Sequence, residues 1–167
     1  MFFMFVQLIG LIGWILLVVS YWKKDINGIL LFQLVSGVFY AFHYYFLGAI
    51  SGLFVIVFEL VRDLLYYKTD WDHYIFIGTI PFYIFFGIIN YTGFISLFPV
   101  LASIVDGYGL SFKKKSAVVG AIVSSILWIV YDFVSGSYIG IVRGVILLVS
   151  NIMVLVKDNE KVYRKVK

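Results

Sequence analysis

The chain has 167 residues, of which 63% are hydrophobic and 13% charged, with a net charge of +4, no cysteine and two histidines. Soluble domains hold roughly 45–50% apolar and about 25% charged residues, so lipid is the expected solvent for most of this surface. The composition excludes disulfides, thiolate metal sites and cysteine catalysis, neither histidine has a metal-ligand spacing, and no cofactor is implied.

In chain order, Phe2–Trp22 is the first apolar run, broken only by Gln7 and Ser20. It is long enough to cross a hydrocarbon core of about 30 Å. With no basic n-region and no small-residue cleavage site before Lys23, it reads as a retained span and not as a cleaved signal peptide. After a polar turn come Gly28–Leu47 and Ala49–Tyr67, separated by the Gly48 region. A charged loop, Lys68–His73, leads to span four, Tyr74–Asn90, which contains Pro81. Span five, Phe94–Leu110, contains Pro99, and the two prolines are expected to interrupt and kink their spans. Lys113, Lys114 and Lys115 precede span six, Ala117–Ser135, and span seven, Tyr138–Val156, is followed by a charged tail. The runs are too uniformly apolar for barrel strands, and only helices or closed barrels satisfy the backbone in lipid. The expected fold class is therefore an all-α integral membrane protein with seven transmembrane helices.

The chain also repeats itself. Shifted by 88 positions without a gap, residues 35–66 fall on 123–154 with seven identities in 32 positions. The identities include Ser36 with Ser124, Gly48 with Gly136 and Gly52 with Gly140, while Tyr40 matches Trp128 in kind and Asp63 matches Asn151. A period of this kind decides the architecture. It predicts two parallel three-helix repeats joined by a linker helix, a 3-1-3 plan: residues 1–73, linker 74–92, residues 93–157, and a tail, 158–167. An odd linker keeps both triplets in one orientation.

The ends near the N-terminus, Gly48, Tyr91 and Gly136 carry no Lys or Arg, whereas the opposite ends and tail carry eleven. The positive-inside rule then puts the N-terminus outside and the C-terminus in the cytoplasm. The basic residues are an orientation signal, so no nucleic-acid partner is expected. Trp22, Tyr66, Tyr67, Trp71 and Tyr74 lie where interfacial aromatics belong.

Charges within the spans cost at least about 2.5–3.5 kcal/mol each on insertion scales, so they should face protein or water and be paired. Glu59, Arg62, Asp63, Asp106 and Asn151 are expected to form a cluster in the cytoplasmic half. His43, Asp132 and Arg143 fall in the outer half, with Asp132–Arg143 as an ion pair. Such charges serve either as structural locks in a bundle with little hydrophobic drive for association or as a solute or proton pathway. Ser36, Tyr40 and His43/Tyr44, with Ser124, Trp128 and Tyr131/Asp132, form one-faced stripes. These read as packing or as a stacking wall for a flat or sugar-like solute. The Gly-x-x-x-Gly pairs at Gly48/Gly52 and Gly136/Gly140 allow close helix approach and leave a homodimer open. No nucleophile elbow, phosphate loop, HExxH or carboxylate-rich metal motif is present, and Arg62 next to Asp63 speaks against an aspartyl catalytic pair, so the chain is not read as an enzyme.

Three sets of segments carry a resemblance: His43-Tyr-Tyr-Phe-Leu-Gly48 with Glu59-x-x-Arg62; Leu97-Phe-Pro99-Val100; and Trp128-x-x-x-Asp132-Phe with Gly136-Ser137 and Asn151. They resemble the YgjV-type bacterial inner-membrane family, which is similar in plan to the sugar-transporting SWEET and SemiSWEET (MtN3, PQ-loop) proteins and to PnuC-type vitamin transporters. The Pro-Gln dipeptide of the PQ-loop proteins is absent. In SWEET-like proteins an Asn on the third helix of each triplet and aromatics on the second line a central solute site. The resemblance thus implies a substrate site at Tyr40, Glu59 or Asp63, Trp128 and Asn151, while the cost of intramembrane charge puts Arg62, Asp106, Asp132 and Arg143 in structural ion pairs. The resemblance also implies alternating-access transport of a sugar-, nucleoside- or vitamin-like solute in the bacterial inner membrane. The contrasting expectation is a non-transporting accessory or interaction protein whose charges are structural.

Overall fold

The computed structural model describes residues 1–20, 22–23, 26–68, 72–112 and 114–165. Lys24, Trp71 and Lys113, together with the side chains of Tyr66, Tyr67, Lys114, Lys115 and the tail, lie outside the described residues. Seven α-helices follow one another: α1 (Phe2–Ser20), α2 (Ile26–Leu47), α3 (Ile50–Lys68), α4 (Asp72–Ile89), α5 (Phe98–Phe112), α6 (Lys114–Ser135) and α7 (Tyr138–Lys165). A 3-10 turn, Phe94–Leu97, precedes α5, and no strand occurs among the described residues. By length and apolarity, 2–20, 117–135 and 138–157 can each cross a membrane, and 31–47, 73–89 and 94–109 are shorter apolar helices. In α3 the three charges of Glu59, Arg62 and Asp63 interrupt the apolar run.

The distribution of polarity is inverted relative to a soluble protein. Leu8, Ile12 and Ile15 of α1, Val57 and Val61 of α3 and Phe85 and Ile88 of α4 are exposed, while Ser36, His43, Arg62, Ser103 and Asp132 are buried. Lipid favours this arrangement, since apolar side chains lose nothing there and polar ones gain partners only inside. Trp22 and Tyr74 are exposed at helix ends.

Packing follows a regular scheme. The main helix contacts are α1 on α2, α2 on α3, α5 on α6 and α6 on α7, with α1 also touching α7 and α3 touching α5. The linker α4 rests between α3 and α5, stacking Phe82 and Phe86 on Phe58 and Phe54 and setting Phe76 edge-on to Tyr108. Close approach depends on missing side chains at a few sites. A Cβ on Gly120 of α6 would stand 2.9 Å from the Val105 carbonyl oxygen of α5, and one on Gly10 of α1 would stand 2.9 Å from His43 Nδ1. Ser36 of α2 donates to the Gly13 carbonyl of α1 at 2.7 Å, a contact open only because α1 is narrow there.

Two turns 88 residues apart are built alike. After α2, Ala49 N–H donates to Tyr44 O at 2.9 Å and Gly48 N–H to Tyr45 O at 3.0 Å; after α6, Ser137 N–H donates to Asp132 O at 2.8 Å and Gly136 N–H to Phe133 O at 3.4 Å. Both are Schellman caps, with the glycine at φ 70° and 71° respectively. That left-handed conformation costs a residue with a Cβ about 1–2 kcal/mol. The Gly-x-x-x-Gly pairs are thus used within the chain: Gly48 and Gly136 make the turns, while Gly52 packs against Tyr131 and Gly140 against Asp132 and Ser137.

Two boundaries differ from the sequence expectation. Pro99 does not interrupt a span, because α5 starts at Phe98 and Pro99 occupies its first turn, where an N–H would have no helical acceptor. The 3-10 turn before it is held by Ser96, whose hydroxyl donates to the Gly93 carbonyl at 2.7 Å and accepts from Thr92 N–H at 3.2 Å. Beyond Val156, α7 continues to Lys165, since no glycine or proline follows Gly144 to stop it. Pro81 does lie inside α4, which remains one helix across it.

The cap and packing roles separate the glycines by experiment. Gly48→Ala and Gly136→Ala should each destabilise by roughly 1–2 kcal/mol through φ alone. Gly78→Ala, where a Cβ meets nothing within 4 Å, should instead stabilise by up to about 1 kcal/mol through helix propensity. Melting temperatures in detergent check both signs.

Candidate functional site

The end of the bundle that holds the two glycine turns is tied by side chains crossing between distant helices. Helix starts leave backbone N–H groups without helical acceptors, and in lipid these need protein partners. Tyr131 of α6 provides one, its hydroxyl accepting from Gly52 N–H at the start of α3, 2.9 Å away. Gln7 of α1 clamps the α6–α7 turn, donating through Nε2 to Gly136 O at 2.8 Å and accepting Ile139 N–H at 3.3 Å. His43 Nδ1 lies 2.8 Å from Val6 O, an acceptor only, which fixes Nδ1 as the protonated nitrogen. His43 Nε2 lies 2.8 Å from Ser137 Oγ, which also accepts from Gly140 N–H at 3.2 Å. Tyr44 donates to Asp132 Oδ1 at 2.8 Å. Both are fully buried, and Tyr44 packs beside the rings of Trp128 and Tyr131.

Below this layer a cavity opens between the helices. One lobe, of about 320 Å³, is lined from α2 by Gln33, Ser36 and Tyr40, from α3 by Glu59 and Asp63, from α5 by Asp106 and from α7 by Arg143 and Leu147. A second lobe, of about 250 Å³, is lined from α6 by Ser124, Ser125 and Trp128 and from α7 by Asn151, and shares Glu59, Asp106, Arg143 and Leu147 with the first. Arg143 lines both lobes. Its guanidinium carbon lies 4.5 Å from the centroid of the Tyr40 ring and 5.9 Å from that of Trp128, within cation–π range. Its Nε is buried without a hydrogen-bond partner, and no ion pair of Arg143 occurs among the described residues.

Towards the lysine-bearing end the acids gather around a second arginine. Arg62, 2% exposed, contacts Asp63 Oδ1 at 3.0 Å and Asp106 Oδ2 at 3.4 Å, and donates to the Ser103 carbonyl at 3.2 Å. Glu59 accepts from the Ser103 hydroxyl. Asn151 donates to Leu147 O of its own helix at 2.9 Å, leaving the rest of its amide on the second lobe.

The residues singled out in the sequence are therefore placed as follows. Tyr40, Glu59 and Asp63 line one lobe, Trp128 and Asn151 the other, and Glu59 belongs to both. Arg62 and Asp106 form an ion pair. Asp132 and Arg143 are placed differently from the expected pair: Asp132 is held by Tyr44, and Arg143 lies against the rings of Tyr40 and Trp128. The physical reason is that Asp132 faces the Gly140 and Ser137 side of α7, where no side chain separates the helices, while Arg143 turns into the cavity. Sequence reasoning also passed over Tyr44 as the partner of Asp132. The 88-residue register aligns Tyr44 with Asp132.

Two stability tests follow from these contacts. Tyr44→Phe removes the hydroxyl donor from a buried carboxyl and should cost about 1.5–3 kcal/mol. In double-mutant cycles the Tyr44–Asp132 coupling should exceed that between Asp132 and Arg143, and the reverse order would restore the ion pair. Arg62→Ala strands Asp106 and should cost on the order of 3–5 kcal/mol, whereas Asp63→Ala should cost far less because Asp63 is 56% exposed.

Comparison with known proteins now places the chain. No curated protein and no solved structure matches it. The model of one family, Imp-YgjV, described as a bacterial inner membrane protein, matches residues 4–161, nearly the whole chain. The match gives these buried charges their setting, the bacterial inner membrane, and the chain belongs to the Imp-YgjV family of inner membrane proteins.

Proposed function

We propose that this protein carries a small polar solute across the inner membrane, binding it in the two-lobed cavity and exposing it alternately at each face. The observation that carries the reading is the shared lining: Glu59, Asp106 and Arg143, from three different helices, line both lobes, with Tyr40 on one and Trp128 on the other. Pockets of this size, at the lower end of roughly 300–1,000 Å³, suit small solutes. A bundle needing only structural locks would close over its charges and leave no lined void.

In this reading all seven helices span the membrane as two triplets, α1–α3 and α5–α7, joined by α4, with the N-terminus outside and the C-terminus in the cytoplasm. Several observations support the grouping. The two glycine turns share their cap bonds, and Tyr40 and Trp128, 88 residues apart, flank the same guanidinium. The contacts of α1 with α7 and of α5 with α3 join the first helix of each triplet to the third of the other. The layer of His43–Ser137, Tyr44–Asp132 and Tyr131–Gly52 bonds then acts as the closed outer gate. Alternating access would break these links while the site stays in place.

The chain has no native cysteine, so single cysteines report cleanly. Thr92→Cys, exposed between α4 and α5, should react with an impermeant maleimide on intact cells, and Lys23→Cys only after permeabilisation. The opposite pattern inverts the orientation. Ser36→Cys and Ser124→Cys, on the two lobes, should react with small water-soluble thiosulfonates at least tenfold faster than lipid-facing Val38→Cys. Transport itself is read by mass spectrometry of proteoliposomes incubated with pooled sugars, nucleosides, vitamins, amines and amino acids. At least one pool should accumulate, and less so with a lobe filled by Ser124→Trp. Rapidly labelled lobes with no uptake from any pool would leave an accessory protein with a wet cavity.

A further inference from the structure

We propose that Arg143 is the anion-binding group of the cavity and that the solute is amphoteric, with a carboxylate on Arg143 and a cationic group towards Glu59. The inference rests on the carrier reading and names the solute class.

An arginine keeps its charge at any physiological pH. The structure treats its two intramembrane arginines differently. Arg62 is compensated by Asp63 and Asp106. Arg143 makes no ion pair among the described residues, its Nε is buried without a hydrogen-bond partner, and its side chain lines both lobes. The neighbouring rings of Tyr40 and Trp128 attract the cation without using its N–H groups, which lie in the guanidinium plane. An edge of unused, coplanar donors is the geometry that takes a carboxylate in a two-point contact. The same contacts argue against a sugar-stacking wall, because the Tyr40 ring is already engaged by the guanidinium.

The opposite charge faces the same space. Glu59, Asp63 and Asp106 all line the first lobe, and Arg62 is the one guanidinium paired with that group. Glu59 makes no ion pair among the described residues. Glu59 holds a hydroxyl donor from Ser103 and reaches both lobes. Arg143 and Glu59 line the same two lobes, so a cation and an acid from different helices face one space, an arrangement that a small zwitterion matches and a neutral solute leaves unmatched.

Proteoliposomes of the full chain provide the test, each offered one of four pools: proteinogenic amino acids, their amides, the corresponding 2-hydroxy acids, and neutral hexoses with nucleosides. These supply zwitterions, cations, anions and uncharged solutes of similar size. The wild-type chain should concentrate amino acids at least tenfold over protein-free vesicles, with the other pools within twofold. Arg143→Gln should lower that uptake at least tenfold, and Arg143→Lys should retain more of it than Gln. The comparison among pools uses the wild-type chain alone, so a variant that fails to fold does not obscure it. Entry of neutral solutes, undiminished by Arg143→Gln, overturns the amphoteric assignment and leaves the carrier reading standing. Entry confined to hydroxy acids or to amides overturns it as well. No uptake from any pool by folded protein removes the carrier reading and this inference with it.

Discussion

Lipid cannot hydrogen-bond to a protein, and that single constraint accounts for most of what the interior contains. Each helix start within the bundle exposes N–H groups that water would otherwise take. Here they are met by Tyr131 on α3 and by Gln7 and Ser137 on α7. The same requirement places His43, fully buried, between a backbone carbonyl and a serine hydroxyl and leaves the tyrosine hydroxyl of residue 44 on Asp132. The aliphatic side chains, which form the core of a soluble protein, are largely on the outside. Polar links therefore specify which helices meet, and missing side chains at Gly10 and Gly120 let them come close enough to do so.

Once polar groups decide the contacts, a charge without a close ion partner becomes informative. A second arginine, several acids and two large aromatics surround a void that apolar residues could have filled. Arg143 makes no ion pair among the described residues and lies against two rings instead, an arrangement that structural locking alone does not require. On the carrier reading proposed above, a binding site is incomplete before its solute arrives, and Arg143, which lines both lobes, would supply that incompleteness.

The parts of this arrangement differed in how far they could be read in the sequence. The seven helices were legible because an apolar run in lipid has one stable backbone solution, and their limits near Gly48 and Gly136 were fixed by cap chemistry that depends on a few adjacent residues. The start of α5 was not, because Pro99 is compatible both with a kink and with a first turn, and Ser96 decides between them through bonds local to the loop. Tyr40, Glu59, Asp63, Trp128 and Asn151, named in the sequence through the SWEET-like resemblance, line the two lobes. Their partners were less legible. Depth along the normal can be counted from the sequence, and it puts Asp132 near Arg143. Rotation about the helix axis is what assigns Asp132 to Tyr44 instead, and it depends on how closely α6 and α7 pack at Gly140 and Gly144.

If the chain is two repeats, as proposed above, its halves are alike in scaffold and unlike in charge, and the physics of a two-fold arrangement would explain why. On the two-repeat reading, position 59 corresponds to Leu147, position 62 to Ser150, position 63 to Asn151 and Arg143 to Val55. Had both halves kept the same groups, carboxyls would face carboxyls across the axis and guanidinium would face guanidinium, with like charges repelling in a poorly screened interior. On that reading, residues that meet their own equivalents at an axis must diverge or be neutral, which is consistent with the donor Tyr44 and the acceptor Asp132. On the same reading, the acids on α3 and an arginine on α7 that makes no ion pair among the described residues would give the cleft a direction. The carrier proposed above would then bind a solute with distinguishable ends in one orientation, which a strictly symmetric site of the same size could not enforce.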